Sequence, residues 1–298
     1  MGQLVSILEQ SFILSIMVFG VYITYKILDL PDLSVDGIFP LGAAVTATIV
    51  TAGYSPFIGL IASIICGCMG GLMTGLLHIK LKITALLSGI LVMIGLYSIN
   101  LRIMGKANIP LFSVKKIFDL NINRLLLIAI ILVVIKIVFD YFFQTELGYI
   151  LKATGDNEVF VESLGVNKGS IKILGLVISG GLVGLSGSLF AQYQGFADVG
   201  MGTGMVVVGL ASVIIGDMIF NNLTFVAVST ISIFGTIIYK LSVVLALNLG
   251  LPPSDMKLIT AVIVVIAISI KQSNFKLNFK VKGERKDVKN RKYKENFS

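Results

Sequence analysis

Residues 144–172 read QTELGYILKATGDNEVFVESLGVNKGSIK, a polar stretch in a chain that is otherwise mostly apolar. Long hydrophobic segments flank it on both sides, so it is expected to be a water-exposed loop carrying a short helix. That helix opens at Gly155-Asp156-Asn157, where Asp156 or Asn157 can accept from the first free backbone amides. It closes at Gly165, the residue best suited to a left-handed C-cap. Between the caps, Val159, Phe160, Val161 and Leu164 are interleaved with Glu158 and Glu162. A two-turn helix with apolar knobs and no lipid to face requires a protein surface, either the chain's own or that of a partner.

The rest of the chain defines the setting. Of 298 residues, 56% are hydrophobic and 13% charged, against roughly 25% charged in ordinary soluble domains. With a mean hydropathy of +0.95, the expected class is all-α, a polytopic membrane helical bundle. Cys66 and Cys68 lie inside an apolar segment and form no disulfide framework. Without a second ligand pair their spacing points to packing rather than to a metal. The chain has no Trp, so any interfacial aromatic belt falls to Tyr.

Most of the +8 net charge is in the tail, since residues 271–298 hold ten Lys or Arg and three acids. A basic tail after the last apolar segment is what the positive-inside rule places at a cytoplasmic face, beside anionic headgroups. It has little aromatic interleaving, which argues against nucleic acid as its partner. The expected organisation is a transmembrane domain over residues 1–270 and a flexible cytoplasmic tail beyond it.

Apolar spans are expected at 12–28, 37–53, 56–78, 83–99, 124–143, 171–191, 204–220, 223–240 and 258–270. Each is near the ~20 residues that a crossing helix requires, giving about nine crossings (eight to ten). The 12–28 segment lacks the basic flank and small-residue cleavage site of a removed signal. Residues 241–249 are apolar but short, and suit a re-entrant piece. Four crossings separate the 144–172 loop from the tail, so parity places both in the cytoplasm. The 100–123 loop then falls outside despite Arg102, Lys106, Lys115 and Lys116.

Gly67, Gly71 and Gly75 repeat every four residues, as do Gly180, Gly184 and Ser188. Small residues at that interval let helix backbones approach closely in lipid. Residues 29–37 bring Asp29, Asp32 and Asp36, with Pro31 and Ser34, between two hydrophobic stretches, and 197–204 echoes them with Asp198 and a run of glycines. Carboxylates and helix breaks at membrane depth usually line a path, and paired interruptions suit duplicated transporter halves. A solvated loop capping two helices fits the same residues, and spacing does not choose between them.

At this point the residues resemble a known family. Asp32-Leu33-Ser34-Val35, running into Gly37 and Gly42-Ala43-Ala44, is similar to the DLSVG-type element of bacterial ABC-importer permeases for ribose and branched-chain amino acids. Lys152-Ala153-Thr154-Gly155-Asp156-Asn157 with Leu164-Gly165-Val166 resembles their RA-x-G-x-N…GI segment, and 180–187 their glycine-rich helix just after it. Residues 209–216 correspond to a further glycine-flanked helix, and the resemblance spans roughly 10–270. It implies that Gly155 to Val166 form a cytoplasmic coupling helix seated on an ATPase. Phe160, Val161 and Leu164 would then make the mechanical contact, and Glu158 and Glu162 would pair with basic residues of that partner.

The resemblance further implies a second permease copy as homodimer partner, an extracytoplasmic substrate-binding protein, and a translocation path shaped by Asp32, Ser34, Asp36 and Asp198. The family often has paired alanines where this chain has Phe160 and Val161, and sugar permeases have glycine in place of Asp36. The bulkier knobs imply a differently shaped ATPase groove, and Asp36 argues against a ribose-like cargo; the closer resemblance, through GDN…LGV, is to an amino-acid subgroup associated with tryptophan or tyrosine uptake. No G-x-x-x-x-G-K-[ST] phosphate loop is present, so ATP hydrolysis is assigned to the partner, with no cofactor or catalytic residue here.

Two other classes fit parts of the sequence. An ion-coupled secondary transporter would place a proton or sodium on Asp29, Asp32 or Asp36, with Lys136 and Asp140 as a buried ion pair; the residues fit better with Asp140 at the cytoplasmic end and Lys136 snorkelling toward it. A membrane enzyme has only His78, near a helix end and without a ligand companion.

Overall fold

A computed structural model describes residues 2–119, 123–220, 228–250, 252, 255 and 258–269. The helices are α1 (Gly2–Tyr22), α2 (Val35–Thr51), α3 (Pro56–Ile79), α4 (Ala85–Met104), α5 (Arg124–Phe142), α6 (Glu146–Asp156), α7 (Glu158–Ser163), α8 (Lys168–Gln194), α9 (Met205–Phe220) and α10 (Val228–Asn248). A last apolar helix, α11, covers Leu258–Ser269. Seven helical segments among the described residues are long and apolar enough to cross a membrane, whereas Val35–Thr51 and Leu258–Ser269 are shorter. The expected nine full-length spans therefore become seven plus two short apolar helices. The fold is not wholly α either. β1 (Asn108–Pro110) pairs antiparallel with β2 (Phe196–Asp198), Ile109 opposite Ala197.

Helix α8 is the central post, buried along most of its length and contacting α3, α2 and α1. Its closest neighbour is α3. A Cβ on Gly67 would collide with the Gly180 carbonyl, one on Gly71 with the Leu176 carbonyl, and one on Gly184 with the Ser63 carbonyl. Gly75 faces Ile173 in the same seam. The repeated glycines thus join two helices of one chain, and dispersion between backbones replaces the solvent-driven packing that lipid cannot supply.

Contacts along α8 define two ends of the bundle. At one end lie α6, α7, the end of α3 and the start of α8, where Gly169 meets Ile79. At the other lie the β1–β2 strand pair and the α8 C-terminus, where Leu111 N–H donates to the Gly195 carbonyl. Residues 105–119 belong to this strand-pair end, opposite the 144–172 loop. α1 runs antiparallel to α8, its Ile13 carbonyl accepting from Ser186 Oγ nearer the strand-pair end and its Gly20 packing on Ser179 further down.

Two expected boundaries change. α1 starts at Gly2 rather than at residue 12; its first turn, Gly2–Ser6, is exposed, with Gln3 hydrogen-bonded to Asn248, and further along Gln10 accepts from Lys240. Residues 241–249 are not re-entrant, since α10 continues through Lys240 to Asn248. The Lys240 head turns sideways onto Gln10, so the charge does not end the helix. Part of the 223–240 segment and the whole 271–298 tail lie outside the described residues.

Candidate functional site

The 144–172 loop folds as two helices rather than one. Thr145 caps α6 at the Gly148 amide, and the chain then runs helically through Gly155 and Asp156. Those two residues therefore end α6 and do not open the next helix. Asn157 is the true N-cap of α7: its backbone is extended, and its Oδ1 accepts from Phe160 N–H at 3.0 Å. The other terminus forms a Schellman motif. Gly165 N–H donates to Glu162 O at 2.9 Å and Val166 N–H to Val161 O at 3.3 Å, with Gly165 left-handed at φ +77°.

These caps fix which side chains face out. Val159, Phe160 and Leu164 are 73%, 52% and 59% exposed, whereas Val161 is fully buried in the chain's own fold. Val161 therefore anchors the helix and is not available as a contact for a partner. The acids also differ from expectation. Lys168 Nζ lies 3.1 Å from Glu158 Oε2 and 3.2 Å from Glu162 Oε1, and Lys172 Nζ donates to Glu158 Oε1. The hydrogen bond from Lys172, with the Lys168 ammonium beside it, holds the Glu158 carboxyl below the ordinary glutamate range. The lysines of α8 thus already occupy acids expected to meet another protein's cations.

Behind this knob, Gly155 sits directly against the Ile27 carbonyl. Ile27 ends the π-helical turn Ile23–Ile27 that continues α1. In the same turn Lys26 Nζ lies 2.7 Å from Asp217 Oδ2 of α9. Lys136 pairs with Asp140 at 2.6 Å as anticipated, and Ser229 of α10 adds a hydrogen bond to the same carboxylate.

The four acidic-break residues do not converge on one spot. Asp36, in the first turn of α2, accepts at 2.8 Å from Gly204 N–H and at 2.8 Å from Val206 N–H. It thereby anchors the start of α9. It lines a cavity of about 350 Å3 with Pro40, Met93, Tyr97, Asn100 and Thr203. Asp198 lies across the 199–204 turn and lines a second, larger cavity. Its Oδ1 caps Gly200 N–H. Asp32 and Ser34 are buried beside Gly89 and line neither cavity, and Asp32 Oδ1 accepts from Ser34 N–H. Sequence reasoning passed over two residues that do face these spaces. Asn100 donates to the Gly37 carbonyl while its own Oδ1 is buried with no hydrogen-bond partner among the described residues, and Lys240 lies in the larger cavity. An Asn or a Lys inside an apolar span was the available signal.

Residues 3–269 match the family model for the branched-chain amino acid transport system / permease component. The chain belongs to that family. Among similar permeases, the tyrosine transport system permease protein of Clostridioides difficile (strain R20291) is 51% identical over 295 residues, covering 97% of this chain and 100% of that one. An uncharacterized protein of Rickettsia prowazekii (strain Madrid E) is 37% identical over 279 residues, covering 90% of this permease and 98% of that chain. The solved structure of PsaBC from Streptococcus pneumoniae in complex with Fab superposes with a TM-score of 0.51 at 16% identity, over 88% of the permease and 89% of that chain. That likeness concerns the fold alone.

Proposed function

We propose that this permease is the transmembrane subunit of a bacterial ABC importer for an amino acid, with an aromatic or branched-chain solute favoured. The relative named for tyrosine transport aligns over nearly the whole chain, which supports that cargo class. Two copies form the pathway, an extracytoplasmic binding protein delivers the solute at the β1–β2 end, and ATPase subunits dock at the α6–α7 end.

The observation that carries this reading is the α7 knob. Three large apolar side chains stand in water on a helix capped at both ends and rooted by Val161. Exposed apolar clusters on an ordered support mark protein-binding surfaces. Nucleotide-driven closure of the ATPases moves α7, and the Gly155–Ile27 contact hands that motion to α1. Asp36, joining α2 to the start of α9, stands beside the cavity through which a solute would pass. The α6–α7 end and the tail face the cytoplasm in this reading.

Reconstitution in liposomes with the cognate ATPase and binding protein tests it. Uptake of labelled tyrosine should follow ATP and stop with an ATPase mutated in its phosphate loop. ATP-independent uptake driven by a proton or sodium gradient would refute the importer assignment.

A further inference from the structure

The larger cavity opens among α1, α8, α9, α10 and α11 at the β1–β2 end and has a volume of about 640 Å3. Small-molecule sites are mostly apolar spaces of ~300–1,000 Å3 with a few placed polar groups. This one is walled by Leu14, Phe190, Phe196 and Met201 and holds one basic and one acidic side chain, Lys240 and Asp198.

Lys240 lies two turns below the end of α10, about 12 Å by helical rise, too deep for its stem to carry the head past the last turn. Its Nζ donates to Gln10 Oε1 at 3.2 Å, and among the described residues no carboxylate pairs with it. An ammonium placed inside a membrane bundle without a counter-ion is costly and is retained for an ion or substrate. Asp198 is complementary. A carboxylate has about four acceptor sites, and here Gly200 N–H and Asn108 Nδ2 are the protein donors seen, at 2.8 and 3.3 Å. No cation pairs with it among the described residues. Aromatic and aliphatic walls between an unneutralised cation and an unneutralised anion suit a zwitterion with a large apolar side chain.

We propose that this cavity is an amino-acid binding site, in which Lys240 takes the α-carboxylate, Asp198 the α-ammonium, and the Phe190–Phe196 wall the side chain. The assignment deepens the amino-acid permease reading and rests on it. Its test needs neither ATPase nor binding protein, so its failure is separable from failure of ATP-driven uptake.

The full chain carrying C66A, C68A and V207C presents one thiol on the cavity wall for a charged methanethiosulfonate reagent. L-tyrosine should slow labelling at least fivefold, with tyramine (no carboxylate) and 3-(4-hydroxyphenyl)propionate (no ammonium) each protecting several-fold less. K240Q should abolish protection and K240R retain part of it. D198N, read in parallel, should remove the advantage of tyrosine over the propionate and serves if K240Q does not fold. Equal labelling with and without tyrosine, or protection unchanged in K240Q and D198N, would overturn the site. Protection by glycerol 3-phosphate as strong as that by tyrosine would assign the lysine to a lipid headgroup and overturn it equally.

Discussion

Gly155 packs on the carbonyl oxygen of Ile27 with no room for a methyl group between them. This contact presses the end of α6 onto the π-helical turn of α1, and Lys26 in that turn holds Asp217 of α9. In the importer reading, a displacement of α7 would reach α1 through this backbone contact.

Gly155→Ala should be poorly tolerated. The obstacle is backbone and cannot rotate away, so the overpacking cost is expected at about 1–3 kcal/mol. Thermal unfolding of the purified permease should show a lower midpoint, and ATP-driven uptake should fall further than the stability loss explains. A midpoint equal to that of the parent would mean α6 is free to shift.

Phe160→Asp places a charge on the exposed face of α7, where the side chain is half solvated in the isolated chain. Membrane insertion and thermal stability should be retained, while copurification of the ATPase is lost. Val161→Asp should instead lower stability and unfold the knob, because it buries an unpaired carboxylate. Normal ATPase recovery with Phe160→Asp would remove α7 from the docking surface.

The Glu158–Lys172–Lys168 cluster sets a pH dependence. Glu158 has a folded-state pKa below its ordinary value, so its stabilising contribution is complete above the unfolded pKa of about 4.3. It fades as pH falls through the lowered folded value. Hydrogen exchange of the α7 amides should be steady from pH 8 to 5, after correction for intrinsic rates, and protection should drop below about pH 4. Glu158→Gln should flatten that drop, and an unchanged profile in the variant would assign it to another acid.

Asp36→Asn removes the charge that binds two amides at the start of α9. The amide oxygen accepts more weakly and the –NH2 group accepts nothing, so the expected loss is about 1.5–3 kcal/mol, the scale of hydrogen bonds to charged groups. Transport should fall with it. Asp32→Asn, where the carboxylate accepts locally from the Ser34 amide rather than bridging two helices, should cost less in a side-by-side unfolding series.

Apolar run lengths were sufficient to mark a helical membrane bundle, and the glycine interval already indicated a close helix pair. Asn157 and Gly165 announced the bounds of α7 because caps are local chemistry, satisfied within four residues of chain. The direction of each side chain was not local. Val161 and Phe160 are adjacent and equally apolar, yet one is a root and the other a knob, since α7 lies with one side against the fold. Likewise Glu158 and Glu162 read as docking acids until the start of α8 brought Lys168 and Lys172 beside them.

Sequence order alone determined that this chain crosses a bilayer and carries a capped helix in a polar loop, because burial preference and capping act over short stretches. Only the tertiary structure decided that Asp36 grips the start of α9, that Gly155 meets Ile27, and that Lys240 and Asp198 share a cavity. Each of those pairs is separated by more than forty residues of chain, and what joins them is helix packing, which no local pattern encodes.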